Sequence, residues 1–485
     1  MGGLGFAMTL KRQWGFEDFV IFERGPDVGG TWRSNTTQGC ASDIPMHWYS
    51  YTDELRPNWK KSHGLQPVIL DYIHDITEKY ALRPHCRFET AVTSAEWDVA
   101  ASVWRVTTQD INTGATRETT AKILISAIGP LCEPNISIIK GAEDYKGTVF
   151  HSARWRHDVE LHGKRVGVIG NGCSAVQFVP IISGDLTTHV VEFCRTPMWF
   201  THVPISSTMQ WIFAHVPFVM RTYRNIIMAM ADIQFIMFRG TDSIFSRYMR
   251  RQLTQLLKDR TPAKYHDKLI PSYAPGCKRI IRDNGYLKSL HRSNIELNWD
   301  GIDSVTPEGI RTKTGEEHQF DVLIYATGFV TDTYPIHVKG TQQTLVEYYD
   351  SQGGPTAYLG ATAPGFPNFV TIQGPNTTTG HASVIFTEET QFNYTLQLIA
   401  PVLSGALASF EPTLPATETY NAWLQRRLTD SVWMTCTSWY RRGQEGKIFS
   451  TFPGPLALYW WFLRAPQWAD YVVKGDGSRA WGRRR

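Results

Sequence analysis

Residues 165–175 read Arg-Val-Gly-Val-Ile-Gly-Asn-Gly-Cys-Ser-Ala, an apolar strand that runs directly into the pattern G-x-G-x-x-A. In a strand–turn–helix unit of this kind, Gly170 permits the tight turn and Gly172 lets the backbone approach a pyrophosphate. Ala175 keeps the helix close to the strand, and the amino end of the helix faces the phosphates. The run predicts a dinucleotide-binding βαβ unit whose ligand contacts are Gly170, Asn171, Gly172, Cys173, Ser174 and Ala175.

The strand that follows this unit indicates which dinucleotide is bound. It is predicted at His189–Cys194 and ends at Arg195, 25 residues after Gly170. An acidic residue at this place is typical of NAD binding, whereas a cation favours the 2′-phosphate of NADP. We therefore predict that Arg195 and the adjacent Thr196 bind NADP; the alternative is a solvated surface arginine.

The chain opens on a second, incomplete unit. Met1-Gly2-Gly3 leads into a predicted helix that extends to about Trp14, and a predicted strand at Phe19–Phe22 ends at Glu23. Glu23 lies 20 residues after Gly3, which is the offset at which such units place an acid on a ribose. The first strand and the first two glycines of G-x-G-x-x-G are absent, so Gly3 can only be the third. We expect an incomplete gene prediction rather than a lost activity.

Further apolar runs complete the predicted architecture. Ile123–Ile128 and Asp321–Thr327 each end at a glycine, which predicts two central strands that stop where a ligand comes close. Residues 205–268 are helical in pattern and are predicted to form an insertion. The expected fold class is α/β, with two doubly wound, Rossmann-like dinucleotide-binding domains.

Composition excludes several classes of protein. With 485 residues, 42% hydrophobic and 19% charged, the chain is neither disordered nor fibrous, and a net charge of +4 is too small to predict nucleic-acid binding. The seven cysteines are odd in number and form no C-x-x-C, so we expect reduced thiols in a cytoplasmic protein, with no metal site. The apolar runs 211–220 and 226–238 are too short to span a membrane, although weak contact with a membrane surface remains an alternative.

One longer motif points to a family. Residues Tyr145–Trp155 fit [F/Y]-x-G-x-x-x-H-x-x-x-W, which resembles the fingerprint of Baeyer–Villiger monooxygenases, the class B flavoprotein monooxygenases. The resemblance implies a hinge role for His151 in this motif. Gly29-Gly30-Thr31-Trp32, then Gly39 and Asp43, are similar to the longer N-terminal motif of that family. Thr37 and Gln38 depart from it, because an aromatic residue and a proline are usual there.

The resemblance implies a domain organisation and an activity. An FAD-binding domain would comprise residues 1–132 and 341–485, split around an NADP-binding domain at 133–340. The enzyme would use FAD and NADPH, with O2 as co-substrate, to insert one oxygen atom next to a ketone. The sequence is similar to fungal members that act on polyketides of the sterigmatocystin and aflatoxin type. A bulky, aromatic ketone from secondary metabolism is therefore the expected substrate.

The resemblance also assigns site residues. In Pro275-Gly276-Cys277-Lys278-Arg279, Lys278 would hold the NADP 2′-phosphate and Arg279 would serve oxygenation, with Asp43 as its partner. A fixed guanidinium suits this role because it stabilises developing negative charge without losing its proton. Trp439 is similar to a tryptophan near the nicotinamide ribose, although Arg441-Arg442-Gly443 departs from the usual glycine-rich segment. The predicted FAD contacts are Gly3, Glu23, Gly30, Thr31, Trp32, Asp43, Tyr49 and Val92.

Two other functions stay open. A flavin monooxygenase of amines or sulfides uses activated oxygen as an electrophile and does not need Arg279. A non-catalytic NADP-binding protein would follow if the truncated FAD unit is real. A thiol–disulfide reductase is disfavoured because the chain contains no C-x-x-C.

Overall fold

The computed structural model of the chain describes residues 1–202, 206–216, 218–241 and 243–475. Several helices begin at a hydroxyl side chain that accepts a first-turn N–H, as Ser243, Ser383 and Thr413 do. The helices span Gly2–Trp14, Thr31–Ser34, Gln66–Lys79, Cys173–Ile182, Ser207–His215, Val219–Gln234, Ile244–Arg260, His266–Leu269, Tyr286–Ser289, Leu345–Ser351, Val384–Leu403, Leu414–Thr429 and Leu456–Leu463.

The middle of the chain forms a five-stranded parallel sheet. Its strand order is Ile295–Asn298, His189–Phe193, Arg165–Ile169, Val322–Tyr325 and Thr148–His151. Val166 and Ile324 are fully buried on the face covered by helix Cys173–Ile182, and Leu323 is fully buried on the opposite face. Gly170 follows the strand at which the chain order reverses, which is where open α/β sheets bind ligands.

The strand predicted at Ile123–Ile128 is present at Leu124–Ser126, but the prediction that it is a central strand is wrong. Leu124–Ser126 pairs in parallel with Phe369–Thr371, and Ile21–Phe22 pairs in parallel with Cys86–Arg87. Within the described residues, neither Leu124–Ser126 nor Ile21–Phe22 has a second partner, so each is the edge of a two-stranded sheet. Both strands line the same cavity, and their side chains are half-buried where a central strand would be fully buried.

The ends of the chain share one hydrophobic core. The predicted N-terminal helix is present at Gly2–Trp14 and packs on helix Val384–Leu403. Two side chains pack directly against Gly5, and a Cβ there would lie 2.8 Å from the Phe392 ring and 2.7 Å from the Tyr51 hydroxyl. Only glycine fits there, and the N-terminal helix is thereby fixed against the last third of the chain.

The remaining strands form one antiparallel sheet, one mixed sheet and isolated pairs. A three-stranded sheet covers the second face of the parallel sheet, with strands Ile302–Thr306, Gly309–Thr312 and Glu317–Gln319. A four-stranded sheet contains His337–Lys339, Thr90–Asp98, Val103–Asp110 and Thr116–Ala121. The short pairs are Phe200–Thr201 with Ile281–Arg282, Glu133–Pro134 with Phe329–Val330, and Ser409–Pro412 with Tyr471–Lys474.

The predicted helical insertion is present. The described part of residues 205–268 contains helices Ser207–His215, Val219–Gln234, Ile244–Arg260 and His266–Leu269. Across residues 1–202, 206–216, 218–241 and 243–475, no helix combines the length and the apolar character needed to cross a membrane.

The expectation that all cysteines are reduced thiols is wrong for two of them. Cys277 and Cys436 form a disulfide with a Cα–Cα distance of 6.2 Å, although they lie 159 residues apart in sequence. Spacing could not reveal this pair, because the fold alone brings the two residues together. The bond links the segment that carries Lys278 and Arg279 to the segment that carries Trp439.

Candidate active site

One cavity of about 2480 Å³ connects the two glycine-containing units. Its walls come from the N-terminal unit, the parallel sheet and the C-terminal segment. Every candidate site residue predicted from the sequence lines it except Ala175, which lies beneath the turn. The lining set comprises Gly3, Glu23, Gly30, Thr31, Trp32, Asp43, Tyr49, Val92, Gly170, Asn171, Gly172, Cys173, Ser174, Arg195, Thr196, Lys278, Arg279 and Trp439.

The turn at Gly170–Gly172 has the shape that the glycine pattern predicts. Gly170 has a φ of 107°, and a Cβ there would lie 2.7 Å from the carbonyl oxygen of Ala326. Gly172 has open space around it, and helix Cys173–Ile182 begins directly after it. Ala175 is fully buried at the first turn of the helix. The turn therefore presents free backbone N–H groups to the cavity, as a phosphate requires.

Two cations lie next to this turn. Burial, followed by the charge of Arg195, lowers the pKa of Lys278 to about 8. The Nη2 of Arg195 donates to Oε1 of Gln444 at 3.2 Å, which orients the guanidinium at the cavity wall. Asn171 Nδ2 donates to the carbonyl oxygen of Thr196 at 2.9 Å and joins the turn to this wall. A half-buried lysine held near a second cation fits a doubly charged phosphate.

Arg279 and Asp43 meet in the cavity across 236 residues of sequence. Both Nε and Nη2 of Arg279 lie 2.8 Å from Oδ2 of Asp43. The negative charge of Asp43 raises the pKa of Arg279 above its usual value, so the guanidinium stays charged at any physiological pH. Gly276, with a φ of 92°, makes the turn that aims this segment into the cavity. Within the described residues, the Nη1 group of Arg279 has no hydrogen-bond partner and is available to a ligand.

The predicted FAD contacts lie around the N-terminal half of the cavity. Trp32 Nε1 donates to the Tyr49 hydroxyl at 3.0 Å, which fixes the tryptophan just after Gly30 and Thr31. The Glu23 carboxylate accepts the backbone N–H of Gly25 at 2.7 Å.

The amino end of helix Gly2–Trp14 opens on the same space and carries Gly3. A helix end, a half-buried acid and a long apolar wall fit a dinucleotide there.

The segment around Trp439 closes the cavity on its far side. Trp439 is 41% exposed, and its backbone carbonyl oxygen accepts from the Thr331 hydroxyl at 3.5 Å. The Cys277–Cys436 disulfide holds this segment against Lys278 and Arg279. The arrangement places the aromatic ring, the two cations and the turn at Gly170 around one volume.

His151 of the family fingerprint lies at the end of its strand. Its Nδ1 accepts the backbone N–H of Ala153 at 3.0 Å, and burial lowers its pKa to about 4. The imidazole is therefore neutral at physiological pH. Tyr145 and Trp155, at the two ends of the fingerprint, contact Phe320 and Phe150 respectively.

Two site residues escaped the sequence analysis. Tyr440 is buried, lines the cavity and packs against the Trp439 ring with a centroid distance of 4.5 Å. Glu388 lines the cavity beside Gly2; burial raises its pKa to about 7, and its Oε2 has no described partner. The available signal was the run of polar residues on the buried side of helix Val384–Leu403, where Thr387 and Glu388 replace the expected apolar residues.

Comparison with known proteins gives consistent matches. The sequence matches the family described as flavin-binding monooxygenase-like over residues 14–344. A Baeyer–Villiger monooxygenase of Pseudomonas aeruginosa is 35% identical over 471 residues, covering 96% of this chain and 87% of the relative. An FAD-binding monooxygenase of Aspergillus niger is 32% identical over 499 residues, covering 99% of this chain and 81% of the relative.

The same result holds for structures. The crystal structure of cyclohexanone monooxygenase from Rhodococcus sp. Phi1 bound to NADP⁺ superimposes with a TM-score of 0.84 at 26% sequence identity. The match covers 98% of this chain and 97% of that chain. The predicted fold class, with two Rossmann-like units, is confirmed.

Proposed function

The chain belongs to the flavin-binding monooxygenase-like family, and we propose that it is an NADPH- and FAD-dependent monooxygenase of the Baeyer–Villiger type. Its substrate is a bulky ketone, beside whose carbonyl one oxygen atom of O2 is inserted. The observation that carries the proposal is the Arg279–Asp43 pair in a cavity shared by both glycine-containing units. The division into FAD segments 1–132 and 341–485 around an NADP domain at 133–340, and a cytoplasmic location, are parts of the same proposal.

Different side chains would bind FAD and NADPH. Glu23, Gly30 and Trp32 would hold FAD from the N-terminal unit, and Arg195 with Lys278 would hold the 2′-phosphate of NADPH. The flavin, when bound, accepts hydride and activates O2, which is chemistry that no side chain supplies.

Arg279 stabilises negative charge on the substrate oxygen. Asp43 contacts Nε and Nη2 of Arg279. Because the guanidinium is planar and rigid, this contact also fixes the direction of the two N–H groups on Nη1. Because its pKa is raised, Arg279 cannot act as a general acid, and its contribution is a fixed positive charge. A donor fixed before the reaction stabilises the transition state without the cost of reorganisation.

The size of the cavity supports a large substrate. The cavity exceeds the roughly 300–1,000 Å³ of an ordinary ligand pocket, as a site for two dinucleotides and a third molecule requires. The resemblance to fungal members that act on polyketides adds the proposal that this ketone is a polyketide from secondary metabolism.

The test is oxygenation of a panel of cyclic and aromatic ketones by the purified protein. We expect flavin absorbance at about 450 nm, NADPH consumption that depends on the ketone, and an ester one oxygen heavier than the substrate. Arg279→Ala should lower ester formation by about 100- to 1,000-fold. Arg117→Ala, at an exposed position on strand Thr116–Ala121, is the matched control and should have no effect.

Each alternative predicts a different result. Amine or sulfide oxygenation that survives in the Arg279→Ala variant, without ester formation by either protein, would identify the N- or S-oxygenating class. The two-stranded sheets beside Gly3 favour a second candidate, a non-catalytic NADP-binding protein. That candidate predicts a colourless protein that binds NADPH and does not oxidise it.

A further inference from the structure

The helical insertion presents an apolar side to solvent. On helix Val219–Gln234, Ile226, Met230 and Ile233 are 53%, 49% and 68% exposed, and their i, i+4, i+7 spacing places them on one side. The opposite side, which includes Met220 and Ala231, is buried. A helix that is apolar towards solvent as well as towards the core has a second surface to cover.

The next helix of the insertion also exposes apolar and cationic side chains. On helix Ile244–Arg260, Ile244, Arg247, Tyr248 and Arg251 lie on one exposed side at i, i+3, i+4 and i+7, opposite the buried Leu253. The turn Phe235–Phe238 contacts both helices and exposes Ile236. We call these exposed side chains together the insertion face; they are Ile226, Met230, Ile233, Ile236, Ile244, Arg247, Tyr248 and Arg251.

The insertion face is cationic as well as apolar. Of the six arginines in residues 206–251, Arg247 and Arg251 lie on the insertion face, whereas Arg224 is buried beside Glu389. Asp232 points inward, where it accepts the backbone N–H groups of Leu456 and Ala457 at 2.7 and 2.8 Å. Asp242 lies outside the described residues. Arg247 and Arg251 are both exposed, and neither forms an ion pair with a residue that the structure describes.

We propose that the insertion face docks on the surface of an anionic lipid bilayer. Isoleucine, methionine and tyrosine side chains on helices that lie flat would enter the headgroup boundary, while the arginines contact lipid phosphates. A complementary protein surface would need its own acidic and apolar pattern, whereas an anionic bilayer supplies both chemistries over any area. The helices are too short and too polar to span the bilayer, so attachment is peripheral.

Docking would bring the bilayer close to the candidate active site. The inner side of helix Val219–Gln234 packs Ala231, with Ile227 and Met228, against Ile44. Ile44 lines the cavity and follows Asp43 in sequence. One helix, about 10 Å in diameter, therefore separates the insertion face from the cavity wall. An apolar ketone dissolved in lipid would have a short path to Arg279; this delivery rests on the proposed function, whereas docking itself does not.

The test is co-sedimentation of the full chain with vesicles, measured without turnover. We expect binding to phosphatidylcholine vesicles that contain phosphatidylglycerol, and little binding to pure phosphatidylcholine. The double variant Ile226→Glu/Ile233→Glu should weaken binding at least tenfold, because each isoleucine loses its burial in the membrane. Arg247→Gln and Arg251→Gln should each weaken it about fivefold, and high salt should weaken it in the unchanged protein.

The matched control is Leu186→Glu. Leu186 is similar in size to isoleucine, is 65% exposed and lies outside the insertion. It should bind vesicles as the unchanged protein does. Thermal melting and light scattering establish that each variant is folded and report its oligomeric state. The proposal is overturned if the unchanged protein does not bind anionic vesicles, or if its binding does not depend on salt concentration and lipid charge. It is also overturned if the double variant disperses a dimer, because the face would then join two copies of the chain.

Discussion

Asp43→Asn tests whether the carboxylate acts through Arg279. The change keeps the size of the side chain and removes the charge that both Nε and Nη2 contact at 2.8 Å. Hydrogen bonds to charged groups are worth about 1.5–3 kcal/mol each, and both groups are partly exposed, so we take the value of a single bond. The expected loss in kcat/KM for ketone oxygenation is roughly 10- to 100-fold.

The decisive assay is a double-mutant cycle. Arg279→Ala and the double variant Asp43→Asn/Arg279→Ala should have equal kcat/KM, because a positioning residue has nothing to position once the arginine is gone. Flavin content, measured by absorbance, must stay equal in all four proteins, since Asp43 also lines the cavity. The control is Asp53→Asn, which removes a surface ion pair with Arg12 and should leave kcat/KM unchanged. Losses that multiply in the double variant would refute the positioning role.

Three further results follow from buried charges and the disulfide. Lys278→Met should raise the KM for NADPH by about 10- to 100-fold while leaving that for NADH nearly unchanged; equal effects on both would argue against a phosphate contact. Burial raises the pKa of Glu192 to about 8 although Tyr286 donates to it at 2.6 Å. The unfolded state therefore loses its proton first, and stability falls by about 1.4 kcal/mol per pH unit between about pH 4.5 and 8. Glu192→Gln should flatten that slope in denaturant titrations, and an unchanged slope would contradict a buried protonated acid. Cys436→Ser, which frees Cys277, should lower the free energy of unfolding by about 2–5 kcal/mol, and an equal loss in the unchanged protein on adding dithiothreitol checks that the bond is the cause.

Local patterns predicted local structure well. The turn at Gly170, the burial of Ala175 and the following helix depend on a few adjacent residues, so the sequence contains all the information they need. The strand at Ile123–Ile128 depends on neighbours elsewhere in the chain. Its apolar composition predicted a strand correctly and its position in the sheet wrongly.

Long-range contacts were outside the reach of pattern reasoning. A resemblance named Arg279 and Asp43, but only the fold brings them within 2.8 Å. Glu388 gave a weaker signal, since a buried acid on a helix resembles a solvated one until its packing is known. The sequence contained no signal for the Cys277–Cys436 pair, because seven cysteines allow many pairings.

The two-stranded sheets beside the cavity have a consequence for handling the protein. Ile21–Phe22 and Leu124–Ser126 each leave a row of backbone N–H and C=O groups unpaired within the described residues, flanked by half-buried apolar side chains. Such edges capture extended peptides and pair with each other between molecules. The protein should therefore aggregate on warming or concentration. An added apolar peptide that pairs with these open strand edges should suppress that aggregation.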